Sequence, residues 1–248
     1  MSFFDGNARS PMSAGVSRVG AAQYDAGLRA YMLGIYNHMT LGLAISALIA
    51  YGAFVLARAN PSVAYTLYVS PLHWLIMLAP LGFVMFMSFR FDRMSYQSLL
   101  FTFWAFAAVM GLSLSTWFLF FRLGSIIQVF FVTAAAFGGL SLYGYTTRRS
   151  LSGMGAFMAM GLIGLIVAML INVFLQSSAF QFAINIIGLV IFAGLTAWDT
   201  QRLKDSYDQV AYDGTLMAKY SLMGALTLYL NFINLFQFLL SIMGNRNN

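Results

Sequence analysis

The sequence LSGMGAFMAMGLIGLIVAMLINVFL occupies residues 151–175 and contains no charged side chain. A bilayer's hydrocarbon core requires about 20 consecutive apolar residues in a helix, so this stretch is long enough to span it. Its glycines favour close packing between membrane helices, and no polar phosphate-binding loop follows them. The stretch therefore predicts a membrane-spanning helix rather than a nucleotide site.

The composition of the whole chain places it in the same class. Hydrophobic residues make up 60% of the sequence, charged residues make up 8%, and the mean hydropathy is +0.79. Soluble domains carry roughly 25% charged residues, so the chain is predicted to be an integral membrane protein. It contains no cysteine, which excludes disulfides, thiolate metal sites and cysteine nucleophiles.

Six further apolar runs have the length of a membrane span. The runs are continuous, unlike the ~10-residue alternating segments of a membrane barrel, so we expect helices. The seven predicted spans cover residues 30–57, 71–89, 98–121, 124–146, 151–175, 179–199 and 220–243. We therefore predict an all-α membrane domain over residues 30–243, a flexible cytosolic tail over 1–29 and a short C-terminal tail over 244–248.

The basic residues are distributed unevenly between the two faces of this arrangement. Ten fall on one face, namely Arg9, Arg18, Arg29, Arg90, Arg93, Arg148, Arg149, Arg202, Lys204 and Lys219. Three fall on the other face, namely Arg58, Arg122 and Arg246. The positive-inside rule then predicts a cytosolic N-terminus and an extracytosolic C-terminus. Topology and contact with anionic lipid account for the net charge of +6, so no nucleic-acid partner is expected.

Catalytic groups are scarce. The two histidines, His38 and His73, have no cluster of carboxylates near them in sequence, whereas a metal-dependent hydrolase needs several ligands that face one cavity. Lys219 falls at the predicted cytosolic edge of the last span, where a lysine ordinarily extends its amine to the interface. We therefore expect neither enzymatic activity nor a bound cofactor.

Polar residues in the last two spans follow helical stripes. The stripe in the sixth span contains Gln181, Asn185, Gly188, Phe192, Thr196, Asp199 and Arg202, and the stripe in the seventh contains Tyr220, Gly224, Thr227, Asn231, Asn234 and Ser241. Both stripes are expected to face the interior of the bundle. Such amides and hydroxyls ordinarily join helices, each with about 1 kcal/mol or less. The candidates for residues that face a pore are Asn185, Thr196, Thr227 and Asn234.

Asp199 differs from these polar residues because it carries a charge. It is the only acid close to a predicted span, and the chain contains no glutamate. An ionised carboxylate in hydrocarbon costs at least ~2.5–3.5 kcal/mol unless water or a cation receives it. Two interpretations follow: a boundary residue paired with Arg202 one turn later, or a gate in a cavity, paired with Arg90 or Arg93.

Two C-terminal motifs, AGLTAWDTQRLK at 193–204 and LTLYLNFINLFQFLL at 226–240, resemble the paired signatures of the Bax inhibitor-1 family. The turn FRFDRMS at 89–95 is also similar. The resemblance, closest to bacterial members, implies six helices around a central seventh and a pH-sensitive calcium leak. It also implies a gate in which aspartates on helices six and seven share a proton near an arginine on helix two. Asp199 matches the first aspartate, and Arg93 is slightly preferred to Arg90 as the arginine.

The second aspartate of that gate corresponds to Asn231 in this chain. The Asn231 amide cannot ionise, but it can donate a hydrogen bond to Asp199 as a protonated carboxyl would. Without a second carboxylate nothing forces a proton to be shared, so the resemblance implies a gate with a weakened pH response. The function expected is a leak for calcium or another cation in a bacterial inner membrane. The alternative is a non-transporting modulator of a membrane protease or of a stress or cell-death response.

Overall fold

The computed structural model describes residues 11–247, and it describes side chains from Gln23 onward. The helices of that part are α1 (Pro11–Ala59), α2 (Pro61–Tyr68), α3 (Leu72–Arg90), α4 (Tyr96–Leu114), α5 (Trp117–Phe120), α6 (Leu123–Thr146), α7 (Ser152–Leu175), α8 (Ser178–Val210) and α9 (Gly214–Met243). A short 3-10 turn, Phe91–Arg93, follows α3. Seven helices are long and apolar enough to cross a membrane: α1, α3, α4, α6, α7, α8 and α9. The predicted all-α fold with seven spans is confirmed.

Helix α9 lies at the centre of the bundle and is the most deeply buried of the seven spans. It packs against α1, α4, α6 and α8, while α3 packs on α4 and α7 packs on α8. Four helices therefore surround α9 directly, and the other two lie outside them. The small side chains Gly224 and Ala225 let neighbouring helices approach, because a Cβ at Gly224 would meet Leu203 and Ile35.

A buried hydroxyl group joins three of the central helices. Ser46 of α1 lies 2.7 Å from the Tyr229 hydroxyl of α9 and donates to the Ala107 carbonyl of α4 at 2.6 Å. Phe103 and Phe106 of α4 contact the Tyr229 ring edge to face. Because the polar atoms are paired within an aromatic core, this contact fixes the orientation of α9 relative to α1 and α4.

The C-terminal segment closes the end of the bundle at which α6 begins. Asn245 accepts a hydrogen bond from the Arg122 amide at 3.1 Å and donates to Ser125 Oγ at 2.9 Å. The Asn247 amide donates to the Phe120 carbonyl at 2.9 Å. Residues 244–247 of the predicted C-terminal tail are therefore tied to the connection between α5 and α6.

The N-terminal boundary differs from the predicted one. Residues 11–29, expected to be a flexible tail, are helical and continuous with the first span, while residues 1–10 lie outside the described part. Leu28 and Tyr31 are buried, and Tyr24 and Tyr31 both contact the ring of Tyr207 on α8. Packing against α8 is the physical reason for the extension from Tyr24 onward, since Tyr24, Leu28 and Tyr31 recur on one face of α1.

Helix α8 also continues past the predicted boundary at residue 199. It extends to Val210, and α9 begins at Gly214 rather than near residue 220, so the interval of residues 200–219 between the two predicted spans is reduced to a connection of residues 211–213. Asp208 lies on α8 and accepts a hydrogen bond from the Tyr24 hydroxyl. Asp213 caps α9 by accepting from the amides of Thr215 and Leu216.

The seven-span arrangement predicts the positions of two reporter fusions. A reporter inserted after Tyr212, which is 97% exposed, should be cytosolic, and a reporter fused after Asn248 should be extracytosolic. Compartment-specific enzyme reporters would measure both positions in cells. Finding both reporters in the same compartment would contradict seven spans, and finding the two positions exchanged would contradict the charge-based orientation.

Candidate functional site

The Asp199 carboxylate is buried between the two C-terminal helices. Only 5% of the residue is exposed. One oxygen, Oδ2, accepts a hydrogen bond from Asn231 Nδ2 of α9 at 2.8 Å. The other oxygen, Oδ1, lies 2.8 Å from Arg202 Nη2, one turn further along α8. Asn231 therefore holds the carboxylate to α9, and Arg202 supplies its counter-charge.

Arg202 connects this buried carboxylate to water. Its side chain is 52% exposed, and its guanidinium lies 4.8 Å from the centre of the Trp198 ring. A polar recess of about 350 Å³ lies beside it, with Gln201 and Asp205 in its wall. The ion pair therefore has one buried partner and one partner at the aqueous surface.

The level of the site in the membrane follows from the neighbouring helices. A Cβ at Gly144, near the end of α6, would meet the backbone of Ala197, and Gly155, near the start of α7, faces the indole of Trp198. Asp199 therefore lies at the level of the connection between α6 and α7. The rise from Ser178 to Asp199 is about 30 Å, which equals the thickness of the hydrocarbon core. The carboxylate thus lies at one edge of the core and is nevertheless buried among helices.

The arginines after α3 are not part of this site. Asp199 with Arg202 is the only ion pair within 4.0 Å in the part of the chain that the structure describes, so neither Arg93 nor Arg90 pairs with Asp199. Both of these arginines are exposed. The preference for Arg93 is therefore corrected to Arg202, which is the pairing predicted for a boundary residue and not the one predicted for a gate. The reason is geometric, because residues three apart on a helix lie on the same face.

The other polar candidates do not converge on Asp199. Thr196, Thr227 and Asn234 each donate to a carbonyl four residues earlier in their own helices, at 2.7, 3.1 and 2.8 Å. Asn185 accepts from Gln181 at 3.0 Å and lies about 20 Å from Asp199 along α8. The structure thus brings together Asp199, Asn231 and Arg202 from the predicted set, and the remaining residues form local hydrogen bonds.

Comparison with known proteins relates nearly the whole chain to one family. The family model described as "Inhibitor of apoptosis-promoting Bax1" matches residues 28–248. The inner membrane protein YbhL of Escherichia coli is 43% identical, over 89% of this chain and 94% of its own length. The chain belongs to the Bax inhibitor-1 family. An uncharacterized protein of Caulobacter vibrioides is 44% identical, over 89% of this chain and 90% of its own length. An uncharacterized protein of Rickettsia prowazekii is 43% identical, over 91% of this chain and 93% of its own length.

Two further residues position the site in this Bax inhibitor-1 family member, and the sequence analysis did not identify them. Gln201 accepts from the Leu151 amide at 2.7 Å and donates to the Arg149 carbonyl at 2.9 Å. Lys204 donates to the Tyr145 carbonyl at the end of α6, at 2.9 Å. Both residues lie in the AGLTAWDTQRLK motif. They fix the Asp199 turn of α8 to the connection between α6 and α7.

The site offers a cation few ligands. Among the described residues no group of three or more histidines, cysteines, aspartates or glutamates could hold a metal ion. Calcium ordinarily takes six to eight oxygen ligands, several of them from carboxylates. In this Bax inhibitor-1 protein an ion at the site would meet the single carboxylate of Asp199 and amide oxygen from Asn231. Such a set is smaller than the one that stable calcium binding requires.

Gly144 gives a direct test of how α8 is positioned. Gly144→Ala should lower the free energy of unfolding by about 1–3 kcal/mol, because the added methyl group collides with the Ala197 backbone. Gly139→Ala on the same helix has open space at its Cβ and should be neutral or slightly stabilising. Unfolding in mixed micelles with increasing dodecyl sulfate would measure both. Equal stability of the two variants would contradict the close contact between α6 and α8.

Proposed function

We propose that this protein provides a slow cation leak across a bacterial inner membrane, and that the Asp199 site holds the leak closed. The observation that carries this proposal is the buried carboxylate, which joins α8 to α9 at one edge of the hydrocarbon core. An intramembrane charge is costly, and charges in membrane helices are concentrated on ion pathways. Helix packing alone does not require a charge at this position.

The closed state is maintained by two contacts of one carboxylate. Asn231 holds the carboxylate against α9, and Arg202 neutralises it from the aqueous side. For the leak to open, α8 must separate from α9 at this level, and Asp199 must exchange a protein partner for water or a cation. A cation that reaches the carboxylate competes with the Arg202 guanidinium for it.

A single carboxylate is consistent with leak rather than with storage of the ion. Conduction requires binding strong enough to admit an ion and weak enough to release it. Calcium is the ion implied by the family resemblance, and Asp199 and Asn231 would supply only part of the oxygen ligands that it prefers. Because Asn231 cannot ionise, we expect only a weak dependence of the leak on pH.

A second candidate function is a non-transporting modulator of a membrane protease or of a stress response. It is favoured by the hydrogen bonds of Thr196, Thr227 and Asn234, which are made within their own helices rather than toward a shared channel. Under this alternative the Asp199 site would serve only to hold α8 on α9. The cytosolic extension, in which Tyr24 bonds Asp208, would then offer a surface to a partner.

Ion flux through the purified protein distinguishes the two functions. Vesicles that contain only this chain and a trapped calcium indicator should admit calcium faster than vesicles without protein. A trapped dye too large for the pathway should be retained, which excludes general damage to the bilayer. Calcium entry equal to that of protein-free vesicles, with correctly folded and inserted protein, would contradict the leak and favour the modulator.

A further inference from the structure

An apolar cleft runs along the side of the bundle between α1 and α6, with α9 as its floor. It consists of two cavities of about 580 and 450 Å³, which share the side chains of Leu43, Phe130 and Phe232. We call this opening the α1–α6 cleft. Its wall on α6 extends from Leu123 to Tyr145, a rise of about 33 Å, so the cleft spans the hydrocarbon core.

The two ends of the cleft differ in charge. At the end near Tyr145, Arg29 of α1 lines the opening and is exposed. Lys204 does not line the cleft, but its amine is 5.2 Å from the centre of the ring of Tyr145, which does. The described residues that line the cleft include no acid. The mouth is therefore basic, and the interior is apolar.

We propose that the α1–α6 cleft binds an anionic phospholipid. The headgroup phosphate lies at Arg29 and Lys204, and one acyl chain lies in the cavity below them, against Gly138 and Phe137. Charge complementarity selects this occupant, because basic side chains at a membrane face attract anionic headgroups while the uncharged interior accepts hydrocarbon. The arginine pair Arg148 and Arg149, shortly after the end of α6, adds to the positive charge on the same face.

The cleft also contacts the candidate gate. Ser141, in its wall, accepts a hydrogen bond from Thr200 at 3.4 Å, and Thr200 is the neighbour of Asp199. A lipid in the cleft therefore lies one side chain from the turn of α8 that carries the carboxylate. The lipid site itself is independent of ion flux, and its test does not use transport.

Retained lipid can be counted on the purified full-length protein. The protein is equilibrated in bilayers with equal amounts of phosphatidylglycerol and phosphatidylcholine, then released into mild detergent for native mass spectrometry. The natural chain should retain phosphatidylglycerol in preference to phosphatidylcholine. Arg29→Gln should lower that preference by about five-fold, the contribution of one basic residue near a membrane surface. Arg58→Gln, near the opposite end of the same helix, should leave the preference unchanged.

A second pair of variants tests the acyl-chain cavity. Gly138 lines the cleft, and a Cβ there meets nothing within 4 Å, so Gly138→Leu should extend its side chain into the cavity and lower the retention of phosphatidylglycerol. Gly139→Leu adds the same side chain outside the cleft and should retain lipid like the natural chain. Equal retention of both lipids by the natural chain would overturn the proposal, and so would unchanged retention in Gly138→Leu. A dimer of the natural chain that only Gly138→Leu abolishes would also overturn it, because the cleft would then hold a second copy of the chain rather than a lipid.

Discussion

Arg202→Gln should destabilise the closed bundle and raise the calcium leak several-fold. The substitution leaves the Asp199 carboxylate buried without its counter-charge, whereas Asn231 still donates one hydrogen bond. Removing one partner of a buried ion pair costs about 3–5 kcal/mol, and the exposure of Arg202 reduces the expected loss to about 2 kcal/mol.

Arg93→Gln is the matched control for this variant. Arg93 is exposed and forms no ion pair with Asp199, so its replacement should leave both stability and leak near those of the natural chain. Unfolding in mixed micelles and calcium entry into vesicles would be measured for both variants. A larger effect of Arg93→Gln than of Arg202→Gln would show that the working gate uses the arginine after α3.

Asn231→Asp should give the leak a strong dependence on pH. The Asn231 nitrogen lies 2.8 Å from Asp199 Oδ2, so the variant places two carboxylates in contact. Two such groups cannot readily both ionise, and a proton shared between them keeps the contact at mildly acid pH. As the pH rises to neutral the proton is lost, the charges repel, and the leak should increase. The natural chain should change less over the same range.

Asn234→Asp controls for an added carboxylate on the same helix. Asn234 is half-buried and bonds the Leu230 carbonyl rather than Asp199. Its replacement should therefore not reproduce the pH dependence of Asn231→Asp. If both variants respond to pH alike, the response comes from general charge in α9, and the contact between Asn231 and Asp199 is not the latch.

The spans were predictable because each is a long run without charge, whereas the extension of α8 was missed because it is charged. Arg202, Lys204, Asp205 and Asp208 made residues 200–210 resemble a solvated loop. The missing signal was the helical spacing of Leu203, Tyr207 and Val210, all of which are buried. The same spacing in Tyr24, Leu28 and Tyr31 marks the matching face of α1.

The site was only partly predictable for a different reason. Asp199 stands out in the sequence because no other acid lies within a predicted span, but the identity of its two partners depends on distances in the folded chain. Arg202 and Arg93 were both compatible with the sequence, and the continuation of α8 past Asp199 selects Arg202 by placing it on the same face of the helix as the carboxylate. The role of Asn231 required the register between α8 and α9, which no periodicity within either helix determines.

Calcium entry into vesicles that contain the natural chain, Asp199→Asn or Asp205→Asn tests the central claim most directly. Asp205 is an exposed acid on the same helix, so its variant controls for the loss of one negative charge. We expect Asp199→Asn to change the leak several-fold, because it removes the carboxylate that both latches α8 to α9 and receives the cation. Asp205→Asn should behave like the natural chain. If the three rates are equal, Asp199 only holds helices together and does not gate a leak.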